Sequence, residues 1–234
     1  MCSLSINLNR IKAVIFDFDG VILESANIKT DAFLEIFADY PEYRNEILQY
    51  HMENTGISRY RKFEWIYQEL LKKPFNETEK NNLGNKFSEI VLKKVLSCPF
   101  VPGAVETLKS LKGQKLSFIA SGTPHEELEF IVKQRKISEF FDGIWGSPPE
   151  KTEIIHNILD KYDLRREEVM FVGDGLSDYK AASAAGICFI ARETPEMEQH
   201  WKESEVACIK DLTSFCSRPL SKVGVAHLIL LDKT

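Results

Sequence analysis

The chain has 234 residues, 44% of them hydrophobic and 11% aromatic, with a formal charge of −5 at neutral pH. That apolar content is ample for a packed core and fits one large domain, or a domain carrying an insertion. The mild acidity gives no bias toward nucleic acid or anionic membranes, and cysteines 2, 98, 188, 208 and 216 contain no C-x-x-C pair. Histidines 51, 125, 156, 200 and 227 likewise lack metal-ligand spacing, so neither a zinc site nor a disulfide framework is expected.

In chain order, Ala13-Val14-Ile15-Phe16 is a short apolar run ending at Asp17. It predicts a buried strand, because a continuous apolar run suits a parallel sheet covered on both faces. The apolar stretch from Ala13 to Leu23 is broken by Asp17 and Asp19, so it is no signal-peptide core. Val223 to Leu231 falls well short of the ~20 residues a membrane span needs. A soluble, cytoplasmic protein is expected.

Residues 24–98 are long, charged and helix-patterned, with Phe33, Phe37, Tyr60, Phe63, Ile66, Tyr67 and Leu70 at helical spacings. They predict an inserted cap of about four helices, with Cys98-Pro99 to Pro102-Gly103 as the return hinge. Apolar runs then recur at Leu116 to Ala120, Val169 to Val172 and Ile187 to Ala191. Helical patterns lie between them at Gly103 to Lys112, His125 to Gln134, Thr152 to Tyr162 and Asp178 to Ala185. This alternation predicts an α/β domain, a doubly wound, Rossmann-like parallel sheet, over residues 1–23 and 99–234. Phe140 to Trp145, Val206 to Ile209 and Ala226 to Leu231 are candidate extra strands, the last in a tail from Arg218 with no assigned role.

Ligands of α/β sheets bind beyond the carboxyl ends of strands, and four segments fall there. In Asp17-Phe18-Asp19-Gly20 two carboxylates can project into one cleft. A phosphate would repel each by ~4 kcal/mol per charge pair at about 4 Å and an effective dielectric of about 20, so a cation is needed. Hard oxygen ligands select Mg2+. Asp17 can then attack phosphorus, and Asp19 can protonate the leaving oxygen and later deprotonate water; two solvated loop aspartates are the alternative. Ser121-Gly122-Thr123 before a helix makes an anion site, or only a turn and cap. Lys151 opens the next helix, as a functional cation or a solvated one. In Gly173-Asp174-Gly175-Leu176-Ser177-Asp178, two further carboxylates are offered as hard ligands, or the segment is only an N-capping loop, and the third glycine of a dinucleotide fingerprint is missing.

Within the insertion, Gly56 and Ser58 suggest a loop and N-cap before a helix that carries Arg59 and Lys62 three apart in its first turns. Cations there oppose the helix dipole. An anionic or polyhydroxyl ligand would account for them; a solvated basic face is the alternative.

The order and strand-end placement of the four segments resemble the haloacid dehalogenase superfamily, the Asp-nucleophile phosphotransferases, and in particular its phosphoglycolate-phosphatase-like hydrolases. The likeness spans residues 11–23 and 99 to about 210, and the insertion matches that family's helical cap class. It implies Asp17 as nucleophile and Mg2+ ligand, Asp19 as acid/base that also ligates through its carbonyl, and Asp174 as a further ligand with Asp178 behind it. Lys151 would bridge nucleophile and phosphate, and Ser121 and Gly122 would bind the phosphate. A carboxylate at position 19 favours hydrolysis or transfer of a phosphate monoester over dehalogenation. The expected substrate is a small sugar phosphate or hydroxy-acid phosphate, and the expected assembly a monomer or homodimer. A sugar phosphomutase uses the same core and is the rival enzyme; a catalytically idle binding module would be expected to have lost Asp17, Asp19 or Lys151.

Overall fold

A computed structural model describes residues 10–54, 57–195, 197–204 and 206–216. Six strands, β1 (Ala13–Phe16), β2 (Leu116–Pro124), β3 (Gly143–Ser147), β4 (Val169–Gly173), β5 (Cys188–Arg192) and β6 (Cys208–Ile209), form one sheet in the order β3-β2-β1-β4-β5-β6. Every neighbouring pair is parallel. Parallel neighbours need crossovers, and helices supply them on both faces.

The alternation of side chains shows why both faces are apolar. Val14 and Phe16 join one cluster with Ile119, Met170 and Val172, while Ala13 and Ile15 join another with Phe118, Val169 and Phe171. On the first face lie α5 (Ala104–Leu111) and α6 (His125–Gln134), through residues such as Leu108, Leu128 and Val132. On the second lie α7 (Lys151–Lys161) and α8 (Leu176–Ala185), through Ile154, Ile155, Ile158, Ala181 and Ala185. A strand with period 2 and two covered faces reads as an unbroken apolar run, as β1 and β4 do.

Between β1 and α5 the chain forms α1 (Ala26–Ile36), α2 (Arg44–Glu53), α3 (Arg59–Trp65) and α4 (Glu77–Ser97), with α3 continuing as a π-turn over Ile66–Leu70. The entering and leaving chains run side by side: Glu24 N–H donates to Pro99 O at 3.0 Å, and Val101 N–H to Ile22 O at 3.0 Å. The insertion builds its own aromatic core of Phe33, Phe37, Phe63 and Phe87, continuous with the first face of the sheet.

The structure extends β2 beyond Ala120 to Pro124, starts β3 at Gly143, and reduces the predicted strand Val206 to Ile209 to Cys208–Ile209. Short helices α9 (Glu198–Glu203) and α10 (Thr213–Cys216), absent from the sequence reading, follow β5 and β6. The candidate strand Ala226 to Leu231 lies outside the described residues. No helix among the described residues is long and apolar enough to cross a membrane.

Candidate active site

The strand order reverses at β1, whose neighbours are β2 and β4, and a crevice opens there beyond the carboxyl ends. Asp17 follows β1, and its N–H donates to Val172 O at 2.9 Å, which ties the start of the loop to β4. Asp174 follows β4, Ser121 and Gly122 lie in the extended end of β2, and Lys151 is the first residue of α7. One cavity of about 70 Å3 is lined by Asp17, Asp19, Ser121, Gly122 and Asp174 from the core and by Lys29, His51, Arg59 and Lys62 from the insertion.

Asp17, Asp174 and Asp178 are all buried and can each place one oxygen within 4.8 Å of the others. Lys151 Nζ sits 3.0 Å from Asp17 Oδ1 and also holds Asp178 Oδ1. The other Asp178 oxygen accepts from Gly175 N–H at 3.0 Å, so both of its oxygens are committed. Asp17 Oδ1 is sealed from solvent without a well-directed hydrogen bond among the described residues, although the lysine lies close. Three carboxylates thus face one ammonium. Burial, then the neighbouring Asp178 and Asp19 charges, push the Asp17 carboxyl up to about 7 against the pull of Lys151. Burial and Asp17 raise Asp174 well above its ordinary range. Burial alone would lower Lys151, but Asp17 and Asp178 outweigh it and raise the ammonium instead.

Gly20 shapes this corner. Its φ of +78° is left-handed, and a Cβ there would stand 2.0 Å from Asp174 Oδ2. Only glycine lets the loop turn while resting directly on that carboxylate.

Asp19 has a different environment. Ser25 Oγ donates to its Oδ1 at 2.7 Å, Thr123 Oγ1 donates to Oδ2 at 3.0 Å, and Lys29 Nζ pairs with Oδ2. Burial raises this carboxyl, yet Lys29 and the three hydrogen bonds prevail and hold it below its ordinary value. Lys29 also donates to Thr123 Oγ1 at 2.6 Å, so this α1 residue joins the insertion to both β1 and β2 loops.

Arg59 and Lys62 are 4% and 3% exposed, which excludes the solvated basic face entertained from the sequence; Arg61, 60% exposed and paired with Glu150, takes that place. Helix α3 turns its Arg59 and Lys62 side inward with Phe63. Arg59 reaches Glu127 of α6 at 2.5 Å and Ser88 of α4 at 2.9 Å, bridging insertion and sheet domain. Lys62 Nζ contacts His51 Nδ1 at 3.1 Å and His51 O at 3.3 Å. Neither Lys29 nor His51 stands among the site residues predicted from the sequence. Lys29 had a local signal, one helical turn after Ser25 and just beyond the aspartate loop, whereas His51 reaches the cavity only through the packing of α1, α2 and α3.

Similarity to known proteins agrees with this geometry. The haloacid dehalogenase-like hydrolase family matches residues 14–192. A phosphoglycolate phosphatase of Photorhabdus laumondii is 27% identical over 76% of this chain and 79% of its own length. A phosphorylated carbohydrates phosphatase of Thermotoga maritima is 24% identical over 75% of this chain and 82% of its own. Crystalline CbbY from Rhodobacter sphaeroides, solved with phosphate, superposes with a TM-score of 0.68 at 18% identity, covering 88% of this chain and 96% of that one, a likeness of fold. With its family match over most of its length, its parallel sheet and its buried carboxylate cluster at the strand ends, the chain belongs to the haloacid dehalogenase-like hydrolases.

Proposed function

We propose that the protein is a Mg2+-dependent phosphatase of small phosphate monoesters, sugar phosphates or hydroxy-acid phosphates such as phosphoglycolate. The observation that carries this is the buried set of Asp17, Asp174 and Asp178, in which Lys151 pairs with Asp17 and Asp178 and one Asp17 oxygen lacks a well-directed partner among the described residues. That set suits a hard divalent cation with oxygen ligands. Asp17 and Asp174 would hold it, joined by the Asp19 carbonyl, while Asp178 stays behind them bound to Lys151 and Gly175. Bound there, Mg2+ supplies the positive charge that lets a carboxylate approach an anionic ester.

An Asp17 oxygen forms a bond to phosphorus as the ester P–O bond breaks, leaving an aspartyl phosphate and an alcohol. Asp19, once protonated, gives its proton to the leaving oxygen; as carboxylate it then takes a proton from water attacking the same phosphorus. The Asp17–phosphorus bond breaks, and inorganic phosphate leaves. Lys151 orients Asp17, and Ser121 and Gly122 receive phosphate oxygens. The cytoplasmic setting and a monomeric or homodimeric state go with this proposal.

Phosphate release from a panel of esters, with Mg2+ or excess chelator, tests it. Wild-type protein should require Mg2+, and Asp17→Asn should lose activity by several orders of magnitude. Near-normal release by Asp17→Asn would overturn the mechanism, and full activity in chelator the metal assignment. An isomerised sugar phosphate in place of free phosphate would make the enzyme a phosphomutase.

A further inference from the structure

We infer that Lys62, held by a His51 that Thr30 orients, forms a subsite for a second anionic group, a carboxylate, on the substrate, while Arg59 acts as a cap-to-core clasp. The inference rests on the phosphatase proposal for the other half of the ligand.

Two cations of α3 face inward, and their surroundings differ in kind. The Arg59 guanidinium has a counter-charge in Glu127, whose second oxygen accepts from Ser88 Oγ at 2.6 Å, and it lies 4.5 Å from the Phe87 ring centroid. Its charge and fork are therefore used within the protein. Lys62 is just as buried, yet no carboxylate lies within ion-pair distance of it among the described residues. Its ammonium has three donors. Two go to His51 Nδ1 and His51 O, and the ammonium also lies 5.3 Å from the Phe33 ring centroid, a contact that brings no counter-charge.

The contacts around His51 fix its role. A protonated Lys62 can only donate, so Nδ1 must be bare and Nε2 must carry the hydrogen, which points to Thr30 Oγ1 at 3.1 Å. The Thr30 hydroxyl in turn donates to Ala26 O at 3.3 Å. Burial, then the Lys62 and Lys29 charges, hold His51 near 2, so it stays neutral and remains an acceptor. This chain of hydrogen bonds fixes the lysine without neutralising it.

A buried, uncompensated ammonium is costly, and the protein shows the cost. Burial, then the Lys29 and Lys151 charges, pull Lys62 down to about 7, with only Asp174 pulling the other way. The groups facing it are His51 on α2, Lys29 on α1, Lys151 on α7 and Asp174 after β4. An anion beside Lys62 would supply the missing counter-charge. Lys62 lines the same cavity as Asp17 and Ser121, so an anion beside it would sit on the same ligand as the phosphate. One ammonium balances the single charge of a carboxylate, whereas a second phosphate would leave buried charge unpaired.

The test compares 2-phosphoglycolate with ethyl phosphate, in wild-type, Lys62→Met and Lys62→Arg proteins. Wild type should prefer 2-phosphoglycolate. Lys62→Met should lose about 10–100-fold in kcat/KM on that ester, mostly in KM, and little on ethyl phosphate. Lys62→Arg should recover part of the preference. Equal losses on both esters, no loss on either, or a wild type indifferent to the carboxylate would overturn the subsite. A protein that hydrolyses neither ester, nor p-nitrophenyl phosphate, refutes the phosphatase proposal instead. Calorimetric binding of 2-phosphoglycolate to Asp17→Asn and to Asp17→Asn with Lys62→Met then reads the subsite without turnover. Weaker binding to the double variant supports it, and equal binding overturns it.

Discussion

Replacing Gly20 by alanine separates the backbone demand of the aspartate loop from its contact with the Asp174 carboxylate, a proposed metal ligand. Gly20 and Gly113 have nearly the same left-handed conformation, with φ of +78° and +75°. A Cβ on Gly113 meets nothing within 4 Å, whereas one on Gly20 would stand 2.0 Å from Asp174 Oδ2 and 2.8 Å from Asp174 Cγ. Gly113→Ala therefore measures left-handed strain alone, about 1–2 kcal/mol, or roughly 2–8 °C in Tm at about 2–4 °C per kcal/mol for a chain of this size. Gly20→Ala bears the same strain and must also drive the Asp174 oxygen back by more than 1 Å to reach ordinary contact. A shift of ~1 Å among catalytic groups can cost ~100-fold in rate, and disturbing a metal ligand's support costs about 10–100-fold in affinity. The assay is thermal unfolding of both variants across a Mg2+ titration, followed by phosphate release. Gly113→Ala should be less stable but keep the Mg2+ response and activity; Gly20→Ala should lose both. A Gly20→Ala protein that binds Mg2+ and turns over like wild type would refute the claim that this glycine keeps Asp174 in place.

Lys29→Met removes the cation that holds Asp19 low, so the Asp19 pKa should rise and the acidic limb of the kcat–pH profile should move to higher pH, because water activation in the proposed mechanism needs the carboxylate. An unmoved limb with a change only in KM would count against Lys29 as the residue that positions Asp19. Glu127→Gln leaves the Arg59 guanidinium buried without a counter-charge, and breaking such a pair costs about 3–5 kcal/mol. Urea denaturation should show a loss of that order, and a loss below about 1 kcal/mol would make the clasp dispensable.

The sheet was legible because its strands are buried on both faces and so stand out as apolar runs, and because Asp17, Ser121, Lys151 and Asp174 each follow such a run at its carboxyl end. Edges were less clear for the same reason. Ser121 to Thr123 carry no apolar signal, yet β2 continues through them to Pro124 beside β3. The two-residue β6 is too short for any periodicity to mark. The insertion disclosed its helices but not its inward face. The sequence leaves Arg59 and Lys62 open between ligand contacts and a solvated face, because burial of a cation depends on the partners that packing brings to it: Glu127 for one, His51 for the other. Lys29 meets Thr123 across 94 positions, a contact that exists only once the insertion docks on the sheet.

That docking carries an electrostatic argument of its own. The sheet domain offers the cavity carboxylates, Asp17, Asp19 and Asp174, and the insertion offers cations, Lys29, Arg59 and Lys62. Two contacts satisfy the opposition inside the protein, Lys29 with Asp19 and Arg59 with Glu127, and both cross between the two parts. What stays unsatisfied is the carboxylate cluster below and the Lys62 ammonium above. In the proposed phosphatase a divalent cation would answer the first and an anionic ester the second, so ligand and metal would complete a charge pattern that the docked protein leaves open at both ends. An ester carrying a second negative group gains from the upper end, whereas a neutral leaving group gains only from the lower one. Selectivity of that kind needs no change in the reacting residues, because the core sees the phosphate and the insertion sees what is attached to it.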